Sequence, residues 1–110
     1  MLILPIKKKW FDMISSGEKK EEYREIKRYW DVRFLKEIGF TESKFEDIKE
    51  SLKKKECSKG IIVTFRNGYS KDSPEIVARC LLSIGEGKAE WGAEPGEKYY
   101  VLRIERILES

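Results

Sequence analysis

Beyond Gly60 the chain reads with a period of two. Ile61, Val63 and Phe65 alternate with other residues, and Ile76, Ala78, Cys80, Leu82 and Ile84 do the same. A last run from Tyr99 to Leu108 puts Tyr100, Leu102, Ile104 and Leu108 on one side, interrupted by Arg106, and Val101, Arg103, Glu105 and Ile107 on the other. Alternation of this kind sends every apolar side chain to one face of an extended strand. Three such faces must be covered, which a sheet does by curling into a small barrel or by taking helices across an open face. The expected fold is therefore α+β, a small β-barrel of about five to six strands with two to three helices. An open sheet covered by helices is the alternative.

The earlier half supplies the helices. Leu2, Leu4 and Ile6 alternate as a strand; after Lys7, Lys8 and Lys9, residues Trp10, Met13 and Ile14 follow helical spacing, with Gly17 where a left-handed end residue belongs. Trp30, Phe34 and Ile38 recur every fourth residue before Gly39, which predicts a second helix over Tyr29 to Ile38 with Arg33 on the same face. Ser43 and Glu46 have capping-box spacing, and Phe45, Ile48 and Leu52 form one stripe, so a third helix is expected over about Lys44 to Lys55. Asn67-Gly68 is a turn signal, with Ser70 to Pro74 lengthening the connection.

With 110 residues, the chain suits one domain. Hydrophobic residues make up 40% and charged residues 39%, enough apolar material for one core and too balanced a charge for disorder. The net charge of +3 permits a polyanionic partner without requiring one. Histidine is absent, which excludes His-dependent triads, His-ligated zinc and His-ligated haem. Any acid or base is then Lys, Glu, Asp, Tyr or Cys. Cys57 and Cys80 form no C-x-x-C and fit reduced thiols in a cytoplasmic protein, with Cys80 a buried wall residue. The apolar start breaks at Pro5 and Lys7, too early for a signal segment or a membrane span.

The least ordinary stretch is Gly17-Glu18-Lys19-Lys20-Glu21-Glu22-Tyr23-Arg24, within an extended segment from Lys19 to Ile26. There Glu22 and Arg24 share a face and Tyr23 takes the other. If that face is sheltered, the charges form a partly desolvated pair that a ligand or hydrogen bonds must compensate. Lys19 has the opposite parity and joins them only if the strand begins irregularly near the glycine. The plainer reading is an exposed edge strand whose charges suppress aggregation.

The spacing G-x-K-x-x-E-x-R of Gly17, Lys19, Glu22 and Arg24 resembles the signature of the ASCH domain, a branch of the PUA-like β-barrel superfamily. The early I-K-x-x-W-F-x-x-I-x-S-G, Tyr29 to Arg33, F-R-N-G-Y at Phe65 to Tyr69 and E-W-G-A-E-P-G-E-K-Y-Y-V-L are similar to small stand-alone members. The stretch from Phe34 to Lys59 looks like a family-variable helical insertion within a single domain spanning 1–110. The resemblance implies a cleft lined by Lys19, Glu22 and Arg24, and an association with RNA binding, processing or modification. Some members hydrolyse RNA or N4-acetylcytidine. The deacetylating members carry a nucleophilic threonine where this chain has Glu22, so turnover here would need a water activated by Glu22, with Lys19 or Arg24 stabilising the oxyanion.

The expectation is an RNA- or modified-nucleotide-binding cleft; a hydrolase and a protein-interaction adaptor are the alternatives. Candidate catalytic residues are Lys19, Glu22 and Arg24. Candidate substrate-binding residues are Arg33 for phosphate, Tyr29, Trp30 and Tyr69 for stacking, Asn67 for a base edge and Glu90 as a second carboxylate. Trp30 with Phe34 also fits a core, Trp10 fits one better still, and Asn67 fits a turn. Lys7 to Lys9 and Lys53 to Lys55 add non-specific attraction for phosphates. No cofactor is expected, and Glu86, Glu90, Glu94 and Glu97 lack a fixed metal-ligand spacing.

Overall fold

The computed structural model describes residues 1–55 and 58–110. Its elements are β1 (Leu2–Ile6), α1 (Lys8–Ser16), β2 (Glu21–Glu25), α2 (Arg28–Glu37), α3 (Phe45–Lys53), β3 (Lys59–Asn67), β4 (Glu75–Glu86) and β5 (Lys98–Glu109), with single 3-10 turns at Glu42–Lys44 and Ala89–Trp91. The five strands form one sheet in the order β1-β3-β4-β5-β2, curled into a half-barrel. β1 lies parallel to β3, and the other neighbours are antiparallel. β1 and β2 are the two edges. A side chain reaches between them: Arg24 Nη2 donates to the Pro5 carbonyl at 3.3 Å.

The period-two runs carry the core. Ile61, Val63 and Phe65 on β3 and Ile76, Ala78, Cys80, Leu82 and Ile84 on β4 are all buried. Burying aliphatic side chains of this size contributes about 1.5–3 kcal/mol each. The helices complete the same cluster with Phe11 and Ile14 from α1, Phe34 and Leu35 from α2, and Phe45 and Leu52 from α3. The segment from Phe34 onward is therefore integral to the core. A buried polar joint fastens it: Tyr100 donates to Asp31 Oδ1 at 2.5 Å, and Lys49 reaches Asp31 Oδ2 at 2.9 Å, linking β5, α2 and α3.

Three local expectations change. The capping box at Ser43 does not form, because Ser43 is drawn into the 3-10 turn before α3 and its hydroxyl lies 3.1 Å from that of Thr41. Glu46 pairs instead with Lys49 at 3.0 Å. α3 ends at Lys53, just past its last buried residue, Leu52, and Lys55 takes a positive φ of 61°. In β5, Cys80 lies opposite Ile104 while Ala78 lies opposite Ile107, so an irregularity between them inverts the side-chain parity. Leu108, expected on the apolar side, is exposed, as is its neighbour Ile107.

Cys57 lies outside the described residues. The Cys80 thiol is fully buried, and burial, with a smaller contribution from Glu105, pushes it up to about 12. Among the described residues, no helix is long and apolar enough to cross a membrane.

Candidate functional site

The site begins where α1 ends. Gly17 takes a φ of 85°, open to glycine at little cost, and its N–H donates to the Ile14 carbonyl. Lys19 N–H then bonds back to the Met13 carbonyl at 2.9 Å, while the Lys20 carbonyl accepts from Ile104 N–H at 2.9 Å. The chain thus turns irregularly before β2 starts at Glu21, and Lys19 arrives on the same side as Glu22.

There the Lys19 ammonium is enclosed. Its side chain is 0% exposed, and Nζ has three acceptors: Glu21 O at 2.6 Å, Trp91 O at 2.8 Å and Glu22 Oε1 at 3.0 Å. The Trp10 and Tyr23 rings lie 4.9 and 5.0 Å from Nζ. Burial pulls the Lys19 pKa below the usual lysine range, with Glu22 opposing that shift and Arg24 adding to it. All three protons of the ammonium form are committed. Lys19 therefore holds Glu22 and the Ala89–Trp91 turn in place, and its ammonium has no free donor for a ligand.

Glu22 is clamped from its other oxygen too, since Arg24 Nη1 donates to Oε2 at 2.7 Å. Arg24 also donates to Tyr23 O at 2.9 Å. Its guanidinium lies 5.3 Å from the Trp30 ring, which carries Arg33 at 5.6 Å and stacks on Phe34. Strand parity accounts for Tyr23, which leaves this face and packs with Val101 and Ala93. Its hydroxyl donates to Glu21 Oε1 at 2.8 Å and accepts from Lys88 N–H at 2.9 Å, propping the turn that bears Trp91. Burial raises the Tyr23 pKa above the usual tyrosine value, and its bond to Glu21 adds to that rise.

Glu22 and Arg24 line a cleft of about 400 Å³, together with Trp10, Trp91, Asn67 and Tyr69. Pro5, Ile6, Lys7, Lys8, Gly68 and Gly92 complete it with Tyr23. Lys8 is paired with Asp12 at 2.6 Å. Gly92, at a φ of 101°, stands so close to Trp10 that a Cβ would lie 3.1 Å from the indole.

Of the residues singled out from the sequence, Lys19, Glu22 and Arg24 meet, and Glu22 and Arg24 share a cleft with Asn67 and Tyr69, while Lys19, expected to line it too, is buried behind Glu22 and is not among the lining residues. Tyr29, Trp30 and Arg33 are not among the lining residues. Tyr29 is exposed on α2, Trp30 supports Arg24 from behind, and Arg33 donates to Ile3 O at 3.2 Å and to the Tyr29 hydroxyl at 3.2 Å. Glu90 is exposed and outside the cleft, and Glu94 and Glu97 line a separate hollow with Lys98. Among the described residues, no group of three or more Cys, Asp or Glu is placed to hold a metal ion. Trp10, Trp91 and Gly92 belong to the cleft without having been singled out for it. Trp10 has the helical spacing of a core residue, and only its position beside the lysine run hints at a partly open one. Compared with protein-family models, curated proteins and solved structures, the chain matches none.

Proposed function

We propose that this chain is an ASCH-like domain of the PUA-like group that binds a nucleotide, free or within single-stranded RNA, in the cleft around Glu22 and Arg24. The observation that carries the reading is the pairing of charge with flat surface. Lys19, Glu22 and Arg24 sum to one positive charge, Lys7 adds to it while Lys8 is balanced by Asp12, and Trp10, Trp91 and Tyr69 line the same cavity. An anion joined to a planar ring satisfies both features. Arginine and lysine take the phosphate, and an aromatic ring takes the base, with stacking contributing about 1–3 kcal/mol per base.

Binding accounts for the geometry better than turnover. A catalytic Lys19 would have to leave acceptors at 2.6, 2.8 and 3.0 Å from a fully enclosed position. Its committed bonds instead orient Glu22 toward a ligand.

Fluorescence anisotropy with a labelled single-stranded RNA tests the reading. Binding is expected to weaken steeply between about 50 and 200 mM salt, as phosphate contacts require. Arg24→Ala and Trp91→Ala should each weaken it while the RNA stays intact. Affinity flat with salt, or unchanged in both variants, would remove the reading. Cleavage of the RNA, or deacetylation of N4-acetylcytidine, lost in Glu22→Gln would replace it with the hydrolase.

A further inference from the structure

We infer that the cleft selects guanine, through the row of donors and acceptors that Arg24 and Glu22 present side by side. This rests on the nucleotide-binding reading above and names the base.

The two residues share one face of β2 and are joined at 2.7 Å. An ionised glutamate offers only acceptors, with about four lone-pair sites on its two oxygens. Lys19 and Arg24 occupy one on each oxygen, leaving both oxygens able to accept again. Arginine offers only donors, five N–H groups in a fixed fork. Nη1 spends both of its protons on Glu22 and Tyr23 O and Nη2 spends one on Pro5 O, which leaves one Nη2 proton and the Nε proton unused. Because both residues line the cleft, the unused Arg24 donors stand beside the two Glu22 oxygens, and a ligand edge that reaches them would meet a donor next to two acceptors.

Guanine carries the complement on its Watson–Crick edge, where O6 accepts while N1–H and N2–H donate. Uracil matches at O4 and N3–H but sets its O2 against the carboxylate. Adenine offers one donor and one acceptor, in the wrong order. Cytosine has the same donor-acceptor-acceptor pattern as the protein and meets it with like against like. A site whose polar groups are left unpaired by the wrong base rejects that base strongly. Trp10 and Trp91 then supply surface for the ring, and Lys7 a cation for the phosphate.

Isothermal titration of the full chain with the 5′-monophosphates of guanosine, inosine, uridine, adenosine and cytidine tests this without altering the protein. Inosine lacks only the 2-amino donor. Guanosine monophosphate should bind about tenfold tighter than inosine monophosphate, and about a hundredfold tighter than cytidine monophosphate. Inosine binding equal to guanosine, or cytidine or adenosine binding as tightly, would overturn the assignment and leave general nucleotide binding standing. No binding by any of the five nucleotides, nor by RNA, would remove both. Glu22→Gln, which swaps one acceptor for a donor, should erase the preference for guanosine over adenosine; where that variant fails to fold, the inosine comparison decides. The pentanucleotides UUGUU and UUAUU separate the sources. Tighter binding of UUGUU than of guanosine monophosphate points to guanine within RNA, and the reverse points to the free nucleotide. Equal binding of the two pentanucleotides contradicts the selection.

Discussion

Replacing Lys19 with methionine tests the physical core of the site. The side chain is 0% exposed, and the change keeps its approximate volume while deleting the ammonium. Glu22, with 7% of its side chain exposed, would retain Arg24 but lose its enclosed counter-ion. The carbonyls of Glu21 and Trp91 would lose donors at 2.6 and 2.8 Å. Breaking a buried ion pair by removing one partner costs about 3–5 kcal/mol, and each orphaned carbonyl costs about 1–3 kcal/mol. Relief from desolvating the ammonium offsets part of this sum, so the net loss is about 3 kcal/mol. For a domain near this size that lowers Tm by about 12 °C or more. Adding Glu22→Gln removes the stranded carboxylate and should restore about 1–2 kcal/mol of the loss, so that the two changes are not additive. Urea denaturation followed by tryptophan fluorescence, supported by calorimetry, measures both effects. A Lys19→Met protein within about 0.5 kcal/mol of the wild type, or a double variant costing the full sum, would refute the pinned ammonium.

Stability should fall as pH rises above about 9, because burial holds Cys80 up to about 12 and also raises Tyr23 and Tyr100. In that window the unfolded chain releases protons that the folded chain keeps. Cys80 alone accounts for about 1.5–2 kcal/mol by pH 10. Lys19 acts in the opposite sense, since its lowered pKa makes the unfolded state the better proton binder. Urea midpoints at pH 8 and pH 10.5 give the sign of the sum in the wild type, and in Lys19→Met, which lacks the opposing group, a rise would contradict the burial of the three acids. Gly92→Ala should cost about 1–2 kcal/mol, from the positive φ and the contact with Trp10, and weaken nucleotide binding. Unchanged affinity would place the ligand away from Trp10. Tyr100→Phe should cost about 1–3 kcal/mol by taking the hydroxyl from buried Asp31, and leave nucleotide affinity unchanged. A matching loss of affinity would tie that joint to the cleft.

Much of this architecture can be read along the chain. The alternation in β4 is followed in its burial from Ile76 to Ile84, and in β3 Ile61, Val63 and Phe65 are buried as expected, but Thr64 between them is buried as well, so alternation alone does not describe that strand. The same rule places Glu22 and Arg24 together and Tyr23 opposite. It fails at the end of β5, where the pairing with β4 is irregular and both Ile107 and Leu108 are exposed. Ser43 and Glu46 fail as a capping box for a related reason: their spacing is right, but the preceding turn determines where the hydroxyl points.

Residue order carries the α+β class and most of the strand faces, and it singles out Lys19, Glu22 and Arg24 only through the spacing they share with a family signature. Tertiary structure alone decided that Lys19 closes on a carbonyl 72 residues away, and that Trp10 and Trp91 share a cleft with Asn67 and Tyr69. Periodicity reports the direction of a side chain relative to its own backbone. What a side chain meets there depends on how the sheet curls and which loops fold back across it, and those contacts join residues whose separation along the chain carries no local signal.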